Sequence, residues 1–312
     1  MKLLFSQPAA RGNDAWLAAL RAALAAAMPG VQLDEWRPGL PPEYDAAIVW
    51  GPSQQLVDEQ PQLKALLNLG AGVDKLLALR LPPTMALVRL EDAGMAVQMA
   101  EYVCHALIRF FREFAACDRQ QHEQRWHPRR PHVRSEFPVG VMGLGALGQR
   151  VAQAVQQFDF PVLGWSRTPH DLPGVQCFHG DGGLPDFLKG TRVLVCLLPL
   201  TPATRGILNR QTLEQLQLAG YVINVARGGL LVEDDLQQLL DEGHLAGATL
   251  DVMQDEPLPP GHWLWTHPHV TVTPHISAQT VRSEAVVQVV RSLQALQRGE
   301  VPSGLVQRER GY

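Results

Sequence analysis

The sequence predicts an α/β protein made of two units, each a parallel β-sheet covered by helices. Short β-like runs alternate with helical segments along the 312 residues, and this alternation is typical of parallel sheets. The alternation stops at an arginine-rich stretch and starts again near Phe137. A hydrophobic content of 46% is enough for two cores in a chain of this length.

The first alternation contains four candidate strands, namely Lys2–Phe5, Val31–Trp36, Ala46–Trp50 and Ala65–Leu69. The Ala/Leu-rich segment Ala15–Met28 predicts a helix with Asp14 as its cap. A long helix is predicted over Val97–Arg119, because methionine, valine, leucine and phenylalanine recur there at helical spacing.

The second alternation begins with the strand Phe137–Met142. Further strands are predicted at Phe160–Trp165, Tyr221–Ala226, Ala248–Val252 and Val270–Thr273. The last segment, Ser283–Arg298, carries an apolar stripe and predicts one more amphipathic helix. We therefore expect two α/β units, and this final helix need not belong to the second.

Composition excludes several classes of protein. No stretch approaches the roughly 20 apolar residues of a membrane span, and the N-terminus is better explained as a strand than as a secretion signal. A net charge of −4 gives no general attraction to nucleic acid or membranes. The arginines of Arg119–Arg134 are diluted by acids and indicate a solvated loop. The four cysteines lack metal-binding spacing, so we expect no metal, reduced thiols and a cytoplasmic protein.

A glycine-rich motif follows the strand that ends at Met142. The segment Gly143-Leu144-Gly145-Ala146-Leu147-Gly148 matches GxGxxG and lies between that strand and a helical pattern. In this context the glycines allow a tight turn, and the helix N-terminus offers N–H groups to a pyrophosphate. We expect Gly143, Gly145, Leu147 and Gly148 to contact a dinucleotide. The alternative is a tight turn with no ligand.

The end of the next strand predicts which dinucleotide is bound. A site for NAD usually has an acidic residue there, whereas arginine suits the 2′-phosphate of NADP. This chain has Ser166-Arg167-Thr168 at that point. A planar cation with two hydroxyl groups fits a phosphate, so NADP(H) is expected in preference to NAD(H). The alternative is an ordinary surface arginine.

Three later strand ends each carry one ionisable residue: Arg227, Glu256 and His275. The carboxyl ends of parallel strands share one edge of a sheet, so these side chains are candidates for a single site. A histidine moves one proton near neutral pH, a carboxylate favours its protonated form, and an arginine binds a carboxylate. Together they suit the reduction of a 2-oxo acid, although each alone has an ordinary structural explanation.

The motifs around these residues resemble those of the D-isomer-specific 2-hydroxyacid dehydrogenase family. The matching segments are Asn224–Gly229, Leu250–Pro257, Thr273–His275 and Leu198–Thr204. Within the family, the chain is most similar to the group that reduces glyoxylate and hydroxypyruvate. That similarity lies in Leu69–Asp74, Arg89–Asp92, Trp165–Thr168 and Arg310-Gly311-Tyr312.

The resemblance implies two Rossmann-like or flavodoxin-like domains, with a discontinuous substrate domain (1–96 and 277–312) and a cofactor domain (97–276). It also implies a homodimer formed through the cofactor domain, with Arg119–Pro138 as a contributor. Leu198, Pro199, Thr204 and Ala226 would line the cofactor, and Asp251 would lie near the nicotinamide. Ala71 and Gly72 would help Arg227 to bind the substrate carboxylate.

The expected function is therefore an NADP-dependent 2-hydroxyacid dehydrogenase that reduces small 2-oxo acids. Trp50 follows a strand of the first unit and is expected to limit substrate size, with an ordinary core tryptophan as the alternative. A different class of protein uses the same fold, namely corepressors that sense nicotinamide nucleotides. The intact Arg227, Glu256 and His275 favour an enzyme.

Overall fold

The computed structural model describes residues 1–7 and 13–311, which contain two parallel β-sheets. The chain divides into a first unit, Met1–Met95 with Thr280–Tyr312, and a second unit, Ala96–Gln279. The α/β class with two parallel sheets is thus confirmed. Tyr312, the last residue of the C-terminal motif, lies outside the described residues.

The first unit has the strands β1 (Lys2–Ser6), β2 (Gln32–Glu35), β3 (Ala46–Val49), β4 (Ala65–Asn68) and β5 (Ala86–Val88). Their order in the sheet, β2-β1-β3-β4-β5, is the flavodoxin-like order. The helices of this unit are α1 (Asn13–Ala27), α2 (Gln54–Glu59), α3 (Asp74–Leu77) and α10 (Arg282–Gln297). The prediction of Asp14 as the cap was wrong, because α1 already includes Asn13. Asp14 lies in the first turn of the helix, where its charge suits the positive helix end.

The C-terminal segment completes the first unit. The side-chain amide of Gln294, on α10, donates to the carbonyl of Ala27 at the end of α1. The backbone N–H of Val306 donates to Leu87 on β5 at 2.8 Å. The predicted final helix therefore packs against elements near the N-terminus of the chain.

The second unit has the strands β6 (Val139–Met142), β7 (Val162–Ser166), β8 (Val175–His179), β9 (Val193–Cys196), β10 (Gly220–Asn224), β11 (Leu245–Leu250) and β12 (Val270–Val272). Their order is β8-β7-β6-β9-β10-β11-β12. This is the Rossmann order with one strand added, and the order reverses between β6 and β9. Ligands of such sheets bind at the carboxyl ends of the strands beside that reversal.

Helices cover both faces of this sheet. The helices of this unit are α4 (Met95–Phe111), α5 (Phe114–His122), α6 (Ala146–Gln156), α7 (Gly180–Gly190), α8 (Arg210–Leu213) and α9 (Glu233–Asp241), of which α5 buries no side chain. Val139 and Val141 of β6 pack in the same cluster as residues of α4 and α6. Met142 of the same strand belongs to the cluster on the opposite face. Because both faces of the sheet are buried, the carboxyl ends of its strands are held in fixed positions.

The prediction of one helix over Val97–Arg119 was wrong, because the structure has a break between α4 and α5. Glu113 adopts a left-handed conformation with φ +53°. Its carboxylate forms an ion pair with Arg129 and contacts the imidazole of His132, and both residues lie on the part of the chain that returns after α5. These distant contacts hold a turn that helical periodicity cannot reveal. Among the described residues, no helix has both the length and the apolar character needed to cross a bilayer.

Candidate active site

The glycine motif forms a cradle between β6 and α6. Gly143 has φ +107°, and a Cβ there would lie 3.0 Å from the Leu197 carbonyl. A Cβ at Gly148 would lie only 1.8 Å from the carbonyl oxygen of Gly143, so this glycine allows α6 to approach the strand. At Gly145, the N-cap of α6, a Cβ would meet no other described atom within 4 Å.

This arrangement fits the pyrophosphate of a dinucleotide. The cradle is open where a side chain would otherwise stand, and the N–H groups of the first turn of α6 are directed to that opening. Gly145 is exposed and Leu147 is half-buried, whereas Gly148 is buried. Gly148 therefore allows α6 to pack closely against the end of β6, and Gly145 leaves the exposed face of the cradle open.

The end of β7 lies directly beside the glycine cradle. The N–H of Gly143 donates to the Trp165 carbonyl at 2.8 Å. Ser166 is buried, and its hydroxyl donates to the Thr168 carbonyl at 2.8 Å, which closes a tight turn. Arg167 and Thr168 are exposed on this turn. The guanidinium and the Thr168 hydroxyl are thus the side chains that the turn presents to a ligand.

A second loop borders the cradle after β9. The N–H of Leu197 donates to the Met142 carbonyl, which joins this loop to the end of β6. Leu198 is buried, and the hydroxyl of Thr204 donates to the Pro199 carbonyl at 2.6 Å. Thr204 therefore fixes the curvature of the loop, while Pro199 stays half-buried at the rim.

Arg227 stands on a turn that a buried asparagine closes. The side-chain carbonyl of Asn224 accepts from the N–H of Ala226, and its amide group donates to the Arg227 carbonyl at 3.1 Å. A Cβ at Gly228 would lie 1.8 Å from the Met253 carbonyl oxygen. The Arg227 turn is therefore in backbone contact with the loop that leads to Glu256.

His275 and Glu256 form a hydrogen-bonded pair. The His275 Nδ1 lies 2.8 Å from one Glu256 carboxylate oxygen, and the other oxygen accepts from the Met253 N–H at 3.2 Å. Because a carboxylate only accepts, Nδ1 must carry the hydrogen. The Nε2 atom is consequently available to a substrate, and the imidazole is 44% exposed. This pair can donate one proton near neutral pH.

Asp251 holds the loop that carries His275. Its side chain is fully buried and accepts hydrogen bonds from the Thr273 hydroxyl and from the N–H groups of Ile276 and Ser277, at 2.6, 2.8 and 2.7 Å. Its backbone carbonyl accepts from the His275 N–H at 2.9 Å. His275 has a left-handed φ of +54°, which this set of bonds maintains.

The first unit contains the remaining predicted residues. Trp50 follows β3 and is half-buried, and its indole lies 4.0 Å from the Cβ position of Gly70. The buried Asn68 donates both amide hydrogens, one to the Gly70 carbonyl at 3.0 Å and one to the Gly72 carbonyl at 2.8 Å. Asn68 therefore shapes the loop that contains Ala71 and Gly72.

The structure thus brings Glu256 and His275 into direct contact, and joins the Arg227 turn to the Glu256 loop. Sequence reasoning missed the residues that shape these loops, namely Asn68, Asn224 and Thr273. Asn224 and Thr273 lie inside recognised motifs and Asn68 directly precedes one, and all three lie at the end of a strand. A buried amide or hydroxyl at such a position is the signal that could have identified them.

Comparison with known proteins agrees with these motifs. The model for "D-isomer specific 2-hydroxyacid dehydrogenase, NAD binding domain" matches residues 104–277. The glyoxylate/hydroxypyruvate reductase A of Yersinia enterocolitica is 42% identical over 318 residues, covering 100% of both chains. The protein of the same name from Serratia proteamaculans is 43% identical over 318 residues, again covering 100% of both chains.

Solved structures give the same result. A D-isomer specific 2-hydroxyacid dehydrogenase from Xanthobacter autotrophicus Py2, in complex with NADPH and MES, superposes with a TM-score of 0.93 at 40% identity, covering 100% of this chain and 99% of the other. The NADPH-dependent glyoxylate/hydroxypyruvate reductase of Sinorhizobium meliloti, in complex with NADP and sulfate, gives a TM-score of 0.89 at 33% identity, with 100% and 99% covered.

Proposed function

This chain belongs to the D-isomer-specific 2-hydroxyacid dehydrogenase family, and on that premise we propose that it is an NADPH-dependent reductase of glyoxylate and hydroxypyruvate. The products are glycolate and glycerate. The observation that carries the proposal is the contact of 2.8 Å between His275 and Glu256, at the carboxyl edge of the same sheet that holds the glycine cradle.

The residues of the second unit divide the chemistry between them. NADPH, when bound, supplies a hydride to the carbonyl carbon of the substrate. Arg227 binds the substrate carboxylate and polarises the neighbouring carbonyl. His275 donates the proton from Nε2 to the carbonyl oxygen as that oxygen becomes a hydroxyl. Glu256 favours the protonated imidazole that this step requires.

Cofactor selection is assigned to the turn after β7. Arg167 and Thr168 are exposed there, and no carboxylate occupies the position that would accept a bond from a ribose hydroxyl. Two relatives of known structure are in complex with NADPH or NADP, which supports the same choice. Gly143, Gly145, Leu147 and Gly148 would hold the pyrophosphate. Leu198, Pro199, Thr204, Ala226 and Asp251 would complete the cofactor site.

Substrate selection is assigned to the first unit. We propose that the N–H groups of Ala71 and Gly72 bind the substrate carboxylate together with Arg227. Trp50 would limit the size of the substrate, since it is only half-buried and its indole is adjacent to the same loop. Residues 1–96 and 277–312 would then form the substrate domain, and residues 97–276 the cofactor domain.

We further propose a cytoplasmic homodimer that associates through the cofactor domain. The segment Arg119–Pro138 presents Trp126, which is 97% exposed, and Val133, which is 57% exposed. Large exposed apolar side chains of this kind favour an interface between protein chains. The four cysteines are all free, which is consistent with a reducing compartment.

A spectrophotometric assay tests the proposed activity. The protein is mixed with NADPH, and the loss of NADPH absorbance is followed after addition of glyoxylate, hydroxypyruvate and a panel of larger 2-oxo acids. We expect turnover with the two small acids. Tight NADPH binding without turnover on any member of the panel would instead favour a nucleotide-sensing corepressor, which the His275–Glu256 pair argues against.

A further inference from the structure

A chain of hydroxyl groups connects helix α4 to the loop that carries His275. The Tyr102 hydroxyl lies 2.5 Å from the Thr273 hydroxyl, which donates to the Asp251 carboxylate at 2.6 Å. A threonine hydroxyl has a single hydrogen, and here that hydrogen is directed to Asp251. Tyr102 must therefore be the donor in its bond to Thr273.

The Tyr102 hydroxyl keeps this hydrogen near neutral pH. Burial raises the pKa of Tyr102 to about 12, and the negative charge of Asp251 acts in the same direction, while the hydrogen bond to Thr273 partly opposes them. The phenol therefore stays neutral, and the direction of the two hydrogen bonds is fixed from Tyr102 towards Asp251.

The buried carboxylate depends on its donors. An ionised carboxyl group removed from water is costly unless hydrogen bonds replace its hydration, and Asp251 is fully buried. A hydroxyl that itself accepts a bond becomes a stronger donor, so Tyr102 strengthens the Thr273–Asp251 bond. The same carboxylate accepts from Ile276 and Ser277, the two residues that directly follow His275.

We propose that Tyr102 is a positioning residue for the proton donor: through Thr273 and Asp251, its hydroxyl holds His275 in contact with Glu256. This inference rests on the proposed function in so far as His275 is the proton donor. No short sequence motif indicates the contact between Tyr102 and Thr273, because these residues are 171 positions apart in the chain.

Any test must distinguish the effect of the Tyr102 hydroxyl from the effects of other titratable groups near it. A cavity of about 320 Å³ is lined by Gln98, Glu101, Tyr102, His105, Ile276 and Ser277. Glu101 and His105 are exposed on the same helix, and Tyr221 makes a small contribution to the raised pKa of Tyr102. Glu256 contacts Nδ1 of the His275 imidazole directly.

The test compares Tyr102→Phe with the matched control Tyr221→Phe. Tyr221 is likewise hydrogen-bonded to a threonine, but it is buried whereas Tyr102 is half-buried, and its partner is Thr249 on β11, at 2.7 Å. For Tyr102→Phe we expect kcat to fall about three- to tenfold, which corresponds to one lost neutral hydrogen bond, with little change in the KM for glyoxylate.

A second readout does not depend on turnover. Amide hydrogen exchange at Ile276 and Ser277, measured in the protein without cofactor, should be faster in Tyr102→Phe than in the wild type or in Tyr221→Phe. Thr273→Val should reproduce the faster exchange because it removes the connecting hydroxyl. Thr273→Ser keeps that hydroxyl, so its exchange rate and kcat should lie closer to the wild type than those of Thr273→Val.

Two results would overturn the proposal: wild-type exchange and kcat in Tyr102→Phe, or equal losses in Tyr102→Phe and Tyr221→Phe. The second result would mean that any cavity or lost hydroxyl in this core has the same effect. If the wild type reduces none of the 2-oxo acids, the proposed function fails. The exchange rates at Ile276 and Ser277 still decide whether Tyr102 anchors the loop.

Discussion

Replacement of Arg167 by alanine is the most direct test of how this chain selects its cofactor. Arg167 is exposed and directly follows Ser166, the last residue of β7. The N–H of Gly143 donates to Trp165, so the glycine cradle and this turn are fixed side by side. The proposal places the 2′-phosphate of NADPH against the Arg167 guanidinium. NADH has no such phosphate, so Arg167→Ala should weaken NADPH binding and leave NADH binding nearly unchanged.

The size of the effect follows from the exposure of the site. A hydrogen bond to a charged group contributes about 1.5–3 kcal/mol, which corresponds to a loss of roughly ten- to a hundredfold in affinity. Water and salt screen an exposed ion pair, and Arg167 is exposed. We therefore expect the lower end of that range, about tenfold, and a smaller loss at higher ionic strength.

The assay measures dissociation constants and kcat/KM for both cofactors at fixed ionic strength. The matched control is Arg150→Ala, which removes the same charge from an exposed position on α6. Arg167→Ala should lower the NADPH-to-NADH ratio, and Arg150→Ala should not. A wild type that already prefers NADH, or an equal loss for both cofactors in Arg167→Ala, would show that Arg167 is only a surface charge.

Three further predictions concern the reaction itself. His275→Ala should lower kcat by about 10²–10⁴-fold while NADPH binding persists, and a near-normal kcat would remove His275 from the mechanism. Glu256→Gln should lower kcat while NADPH binding persists, because the imidazole loses the charged group that accepts its Nδ1 hydrogen at 2.8 Å. Asp255→Asn, at the neighbouring exposed acid, is the control that should leave kcat unchanged. Trp50→Ala should raise the relative kcat/KM for bulkier 2-oxo acids over glyoxylate, whereas an even loss on all substrates, or an unfolded protein, would identify Trp50 as a core residue.

Several local features of both units could be predicted from the sequence. The role of the glycines between β6 and α6 can be inferred from a motif of only six residues. Gly143 adopts a positive φ, and Gly148 stands where there is no room for a Cβ. The final helix is observed at Arg282–Gln297, one residue away from its predicted bounds at each end. Helical and strand periodicity are properties of neighbouring residues, so they can be identified without a tertiary structure.

The break between α4 and α5 could not be predicted in this way. The apolar pattern continues from Val97 past Phe111, and a helix is its natural interpretation. The turn at Glu113 instead accompanies an ion pair with Arg129 and a contact with His132, and these form only because the chain turns back after α5. Strands β5, β8 and β9 were also not singled out, although β9 is a buried strand of 4 residues. Strand β5 has only 3 residues, and β8 lies at the sheet edge and is only partly buried.

The sequence by itself therefore indicated the α/β class, through the alternation of strand and helix patterns along the chain. It also indicated the glycine cradle and the candidate residues Arg227, Glu256 and His275, because each belongs to a short motif at or after a strand end. Tertiary structure decided how those residues are held. The strand order places β11 beside β12, so that the buried Asp251 can bind Thr273, Ile276 and Ser277 and fix His275 against Glu256. It also brings Tyr102 to Thr273 across 171 residues of sequence. Such hydrogen bonds depend on which strands become neighbours, and no local propensity contains that information.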